Sequence, residues 1–175
     1  MNALTKNLVC LALAGLAGCA PQGVNTPMND AIRTIYLAEK SDGGGSSCSF
    51  EVKNENVFLN REDHGCENDE MRYFKLDNVR SAMVVVFESR DCDEEGGWVF
   101  KIKTYIDPLT TPWLDIDDLE TAAEGSIYSR GVRVESIRAD GPDKEGKLSC
   151  VRVIPSELPP TGAGMTGSDQ RSRVN

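Results

Sequence analysis

The sequence predicts an all-β protein, a small antiparallel β-sandwich of Greek-key type held by two disulfides, on three observations. Short runs of apolar residues alternate with polar ones, the period of a half-buried strand. Clusters of Gly, Asp, Asn and Ser separate those runs, as turns do. No long stretch carries the 3.6-residue apolar repeat of a helix, which leaves a sandwich or barrel as the way to bury the strands.

The strands are justified in chain order. Ile32, Ile35, Tyr36 and Leu37 open the domain, and Ser41-Asp42-Gly43-Gly44-Gly45 stops them. Cys48 to Val52 forms a second strand and Asn56 to Leu59 a short third, followed by the polar loop Asn60 to Glu70. Arg72 to Leu76 resumes the sheet. Met83 to Phe87 is a β-branched apolar run, and the polar stretch Glu88 to Gly97 turns the chain back. The returning strand, Trp98 to Ile106, has the clearest alternation. Trp98, Phe100, Ile102, Thr104 and Ile106 are expected inward, with Lys101 and Lys103 in water. Val132-Val134-Ser136 and Leu148 to Val153 supply later strands, and Leu119 to Glu124 is the one candidate helical turn. The sandwich domain is therefore placed at residues 31–154. Residues 155–175, rich in Pro, Gly and Ser, are expected to be disordered, having too few large apolar groups to offset their ordering entropy.

The N-terminus is read separately. Lys6 precedes an apolar run from Leu8 to Leu16, too short to span a bilayer and of the length of a signal-peptide core. It ends in Leu16-Ala17-Gly18-Cys19, which resembles the lipobox of bacterial lipoproteins. The resemblance implies cleavage after residue 18 and lipidation of Cys19. With Ala20 next, it also implies a cell-envelope location, lipid-anchored, in the outer membrane facing the periplasm or the surface. Multiple acyl chains anchor firmly without a transmembrane helix. Residues 19–30 then form a polar, flexible tether, and Cys10 leaves with the leader.

Loss of the leader removes one positive charge and leaves 18 basic residues against 28 acidic, a net charge of −10. Such a balance opposes nucleic acid and anionic headgroups and suits a cationic protein or a divalent metal. The remaining cysteines, Cys48, Cys66, Cys92 and Cys150, read as two disulfides in an oxidising compartment. Sequence alone permits three connectivities. Cys48–Cys66 with Cys92–Cys150 is the expected one, closing a short loop and tying a hairpin tip to the final strand. A metal site including His64 and Cys66 is the functional alternative, without the paired close-spaced cysteines of a zinc module.

Two stretches echo each other. Ile35 to Gly44 precedes the strand around Phe50, and Val86 to Gly97 precedes the strand around Phe100. Serine-led segments follow at Ser81-Ala82-Met83-Val84 and Ser136-Ile137-Arg138-Ala139, at offsets of about 50 residues, the size of one supersecondary unit needing a neighbour. These features together resemble the paired Greek-key motifs of βγ-crystallin-like domains. In that family a calcium loop has two Asp/Asn residues, two variable ones, then Ser/Thr and Ser. Asp77-Asn78-Val79-Arg80-Ser81-Ala82 matches except at Ala82, whereas Val132 to Ile137 lacks the acid–amide pair. The resemblance implies one calcium site, on Asp77, Asn78 and Ser81, in a calcium-stabilised structural domain.

The densest acid cluster is Asp115, Asp117, Asp118 and Glu120, with Asp107 and Glu124 near in sequence. An extended Asp115–Asp117 segment would hold both carboxylates on one face, about 7 Å apart. The cluster is the expected partner-binding surface, and Asp91-Cys92-Asp93-Glu94-Glu95 is expected to be an exposed loop tip. Catalytic patterns are sparse. His64 is the single histidine, and no Gly-x-Ser-x-Gly elbow exists. The chain thus reads as a non-enzymatic protein-binding module of inhibitor or immunity type, requiring no cofactor. A small extracytoplasmic hydrolase using His64 or Asp117 is the enzymatic alternative.

Overall fold

A computed structural model describes residues 32–139 and 147–157. The expected leader (residues 1–18), the tether with Cys19, and residues 158–175 of the expected tail lie outside the described residues.

Among the described residues ten strands form two antiparallel sheets: β1 (Thr34–Ala38), β2 (Ser47–Glu51), β3 (Glu55–Phe58), β4 (Tyr73–Asp77), β5 (Val84–Glu88), β6 (Trp98–Thr104), β7 (Leu114–Asp115), β8 (Ile127–Ser129), β9 (Val132–Ala139) and β10 (Cys150–Ile154). Sheet A has the order β2-β1-β4-β7 and sheet B the order β3-β10-β5-β6-β9-β8. The expected sandwich is what forms, and its topology is Greek-key-like with an exchange. By sequence β3 follows the β1–β2 hairpin, yet it pairs with β10 in sheet B. By sequence β7 follows the β5–β6 hairpin, yet it pairs with β4 in sheet A. Each unit lends the other a strand.

Alternation sets which side chains fill the space between sheets. Ile35 and Leu37 of β1 stand beside Phe50 of β2 and Leu76 and Phe74 of β4. Val85 and Phe87 of β5 stand beside Ile102 and Phe100 of β6 and Val153 and Val151 of β10. All of these are buried. Phe74 and Phe87 meet across the sheets at 4.9 Å between ring centroids, and Trp98 stacks on Phe100 at 4.7 Å. In β6, Trp98, Phe100, Ile102 and Thr104 are buried as expected, while Ile106 lies beyond the strand and is half-buried.

Both disulfides adopt the expected pairing. Cys48–Cys66 closes 18 residues and Cys92–Cys150 closes 58, binding the β5–β6 loop to the last strand. Beside the second bridge, Arg152 ion-pairs with buried Glu88 and donates to the Cys92 carbonyl oxygen at 2.6 Å. Glu88 thus belongs to strand β5 and the core margin, a correction to its placement in the polar turn. In the expected loop tip, Asp93, Glu94 and Glu95 are exposed, but Cys92 is buried by its bond.

Several further expectations are corrected. The repeat holds for the hairpins β1–β2 and β5–β6, but its third correspondence fails. Ser81 and Ala82 lie in a turn before β5, with Ala82 at φ 62°, and Ser136 lies inside β9, which pairs with β6. The strands that close the two units are β4, beside β1, and β10, beside β5. The hairpin β8–β9, inserted between β7 and β10, extends sheet B past β6 and displaces the second closing strand along the sequence. Strands β7 and β8 were not expected. One has two residues, too few for any period, and the other exposes Ile127, its large apolar residue. The expected helical turn is a 3-10 turn at Asp117–Thr121, two residues earlier, pinned by buried Leu119, and it is not alone, since Leu59–Arg61 and Asp63–Gly65 in the expected polar loop are 3-10 turns as well.

Chain-entropy arithmetic assigns about 3 kcal/mol to the shorter disulfide loop and about 4 kcal/mol to the longer. Urea unfolding of the Cys48→Ser/Cys66→Ser and Cys92→Ser/Cys150→Ser double variants should therefore rank the second pair as the more destabilised. The reverse order would show that native-state contacts, and not loop closure, dominate.

Candidate functional site

Three segments distant in sequence meet at one end of sheet A. The β1–β2 turn supplies Glu39, Lys40 and Asp42; the approach to β4 supplies Asp69, Glu70, Arg72 and Tyr73. Together they line an open groove of about 600 Å³. The third segment is β7 and the turn after it, because Ile116 N–H donates to the Arg72 carbonyl at 2.8 Å and Tyr73 stands opposite Asp115. The rim is mainly acidic.

Glu39, Asp42 and Asp115 are held in place by local bonds. Glu39 Oε2 accepts from Ser46 N–H at 3.1 Å, and Asp42 Oδ1 accepts from Gly44 N–H at 2.9 Å. Asp115 Oδ1 accepts from Asp117 N–H at 2.8 Å, an Asx turn. That turn overturns the extended reading of Asp115–Asp117: the strand ends at Asp115, Ile116 is right-handed helical, and the 3-10 turn begins at Asp117. Asp118 is exposed and Glu120 half-buried.

Two tyrosines brace the corner. Tyr128 of β8 donates its hydroxyl to the Asp115 carbonyl at 2.6 Å, and burial followed by the charges of Asp118 and Asp115 pushes its ionisation well above the ordinary phenol range. Tyr73 ionises above its ordinary value chiefly because the Asp115 carboxylate faces it.

An aromatic shelf borders the groove. Tyr36, outward-facing on β1, meets Trp113 edge to face at 6.5 Å, and the Lys75 ammonium lies 5.6 Å from the Tyr36 ring centre. Trp113 lies against Gly43, where a β-carbon would come within 2.6 Å of its ring; Gly43 also has φ +85°. Glycine is required there on both counts. A cleft of about 290 Å³ opens beside the shelf, with Ser47 and Ser49 on its other wall. Tyr36, Tyr73, Trp113 and Tyr128 were missed in the sequence. The available signals were Tyr36 at an outward position between inward Ile35 and Leu37, and the run of glycines opposite.

The expected calcium ligands Asp77, Asn78 and Ser81 have the following surroundings. Asp77 Oδ1 accepts from the Thr110 hydroxyl at 2.9 Å, Asn78 Nδ2 donates to the Ile32 carbonyl at 3.4 Å, and Ser81 lines a separate cleft with Lys103 and Arg133. Among the described residues, no group of three or more His, Cys, Asp or Glu side chains could hold a metal ion. His64 sits on an exposed turn, packed on Phe50, with Nε2 3.5 Å from Glu55, and Cys66 is in a disulfide. Among the described residues no helix is long and apolar enough to cross a membrane.

No family model matches the chain, and no curated protein matches it significantly. Similar solved structures include a betagamma-crystallin domain from Clostridium beijerinckii, 18% identical, covering 69% of this chain and 95% of that one with a TM-score of 0.37. A double mutant of that domain is 20% identical, with coverages of 69% and 94% and a TM-score of 0.36. A betagamma-crystallin domain from Flavobacterium johnsoniae is 12% identical, with coverages of 71% and 98% and a TM-score of 0.40.

Because the folded chain holds Tyr73 and Tyr128 protonated, the unfolded chain loses those protons first. Their contribution to stability is present below about pH 10, the ordinary phenol value, and is lost as pH rises through the folded values. Tyrosinate absorbance should show both ionising late. Asp115→Asn should bring Tyr73 forward, and an unchanged titration in that variant would remove Asp115 as the cause.

Proposed function

We propose that the chain is a non-enzymatic structural domain, held at the cell envelope by lipid on Cys19, that presents the acidic end of sheet A to a cationic protein. The observation that supports this reading is the convergence of Glu39, Asp42, Asp69 and Glu70 beside Asp115, with Glu39, Asp42 and Asp115 braced by the protein's own bonds, around half-buried aromatic side chains. Well-placed Trp and Tyr anchors carry most of the energy in protein interfaces, and surrounding charges chiefly set encounter rate and partner choice. A Lys or Arg side chain of the partner could lie on the Tyr36–Trp113 shelf through its apolar stem and reach the carboxylates with its head. Asp117, Asp118 and Glu120 would form the outer rim. A shared-strand sandwich with two disulfides supplies a rigid mount, so little ordering would oppose association.

Capture from envelope extracts tests the reading. A basic protein should bind at low salt and be released at high salt, since screening weakens charge steering. Asp42→Asn with Asp115→Asn should slow association several-fold, whereas Trp113→Ala should mainly speed dissociation, by tenfold or more for an anchor of about 2 kcal/mol. Recovery of nothing basic at low salt would remove the reading.

The anchor has its own check. Mass spectrometry of the native membrane fraction should find an acylated N-terminal peptide beginning at Cys19. A protein retaining residues 1–18 with an unmodified Cys19 would remove the envelope placement, and the cationic partner would then be sought elsewhere.

A further inference from the structure

On the opposite side of the molecule, the solvent face of sheet B carries the reverse charge. Lys101, Lys103 and Arg133 all act on one carboxylate, Glu135, lowering its pKa, with the Arg133 bond the largest cause. A bulge in the β6–β9 pairing, between Lys101 and Ile102, sets that carboxylate among them. Arg133 ion-pairs directly with Glu135. This is a cationic surface on a chain whose net charge is −9.

Two features there are unusual. Lys103 and Arg133 are direct cross-strand partners, a like-charge pairing whose repulsion Glu135 offsets in part. Ala82, in the turn packed against the same strand, has φ 62°, a left-handed conformation uncommon for a residue with a β-carbon. The turn is nevertheless held firmly. Ala82 N–H donates to the Thr104 carbonyl at 2.8 Å, the Thr104 hydroxyl donates to the Arg80 carbonyl at 2.6 Å, and Met83 N–H donates to that hydroxyl at 3.0 Å. Between turn and strands opens a cleft of about 290 Å³, lined by Ser81, Ala82, Lys103, Thr104, Tyr105 and Arg133, with no carboxylate on its wall. A firmly held turn beside two cations is a preorganised spot of the kind a binding site needs.

We propose that this cleft is an anion site that takes a phosphate group, with Lys103 and Arg133 supplying charge and the Ser81 and Tyr105 hydroxyls supplying hydrogen bonds. Ser81 thereby serves an anion, the reverse of the cation role its sequence context suggested. A phosphate offers several acceptor oxygens to such donors, and charge-assisted bonds of this kind are the stronger class. The phosphate can come from a free phosphate ion or from a lipid headgroup at the membrane surface. The proposal stands on sheet B and does not depend on the acidic face.

The full chain is titrated with inorganic phosphate, and separately with a monomeric short-chain phosphatidylglycerol, while backbone amide shifts are followed by NMR. Chloride at matched ionic strength is the control. Saturable shifts confined to Ser81–Met83, Lys103–Tyr105 and Arg133 are expected with phosphate, and Lys103→Gln should weaken them about tenfold. Lys53→Gln, a distant exposed lysine paired with Glu51, should leave them unchanged. Lys103→Gln should keep a cooperative thermal unfolding transition, so that lost binding is not lost folding. Saturation by the phosphate ion alone assigns the free ion, and tighter saturation by the lipid assigns a headgroup. A chloride response of equal size, shifts spread over all basic residues, or binding untouched by Lys103→Gln would overturn the proposal.

Discussion

The exchange of β3 and β7 is the constraint on which the rest of the structure depends. A hairpin alone is marginal in water, and the three-stranded halves β2-β1-β4 and β6-β5-β10 each leave an apolar face open. Sending β3 to β10 and β7 to β4 widens each sheet with the other unit's chain, and the two faces then close on each other through Phe74 and Phe87. Neither unit is complete without its neighbour. The arrangement requires long closures: Val57 pairs with Val151 across most of the domain. Cys92–Cys150 acts where that closure is made, since Cys150 is registered with Glu88 of β5 on one side and Phe58 of β3 on the other. The Arg152–Glu88 pair lies in the same place, so a covalent and an ionic tie hold one junction.

Exchange also builds the acidic end. Strand β7 has two residues and little energy of its own, yet its pairing with β4 carries Asp115 to Tyr73 and Ile116 to Arg72. Trp113, the residue before it, is thereby brought to the hairpin turn at Gly43, where the missing β-carbon lets the indole lie flat against the backbone. Sheet closure therefore sets Asp115 beside the groove. A change that weakened β7 would release Asp115 and Trp113 and leave the acids of the β1–β2 turn and the β4 approach in place.

What could be read from the residues follows from how local the responsible physics is. Strand β6 was legible because seven residues alternate without interruption, and the β1–β2 and β5–β6 turns because Gly and Asp mark them. The disulfide pairing was legible once the hairpin tip and the final strand were placed. The closing strands were not, because equivalence between β4 and β10 is a matter of which neighbour each one pairs with, and the β8–β9 insertion hides it in the spacing. Asp115 and Asp117 were picked out as a cluster, but an aspartate beside a free backbone N–H makes an Asx turn more readily than a strand. The groove was illegible for another reason. Its walls come from residues near 40 and 70, with residue 115 alongside, and no short window contains all three.

The charge pattern that results is divided between the sheets. Acidic side chains collect where the sheet A loops end, and Lys101, Lys103 and Arg133 collect on the outer face of sheet B. A uniform acidic coat would serve solubility alone. Here the composition hides a dipolar arrangement, with one carboxylate set by a β-bulge among the three cations and a like-charge pair left in register beside it. Glu135, the extra residue of the bulge, offsets part of that pair's repulsion through its bond to Arg133, so an acid is used to hold the cations together on this face.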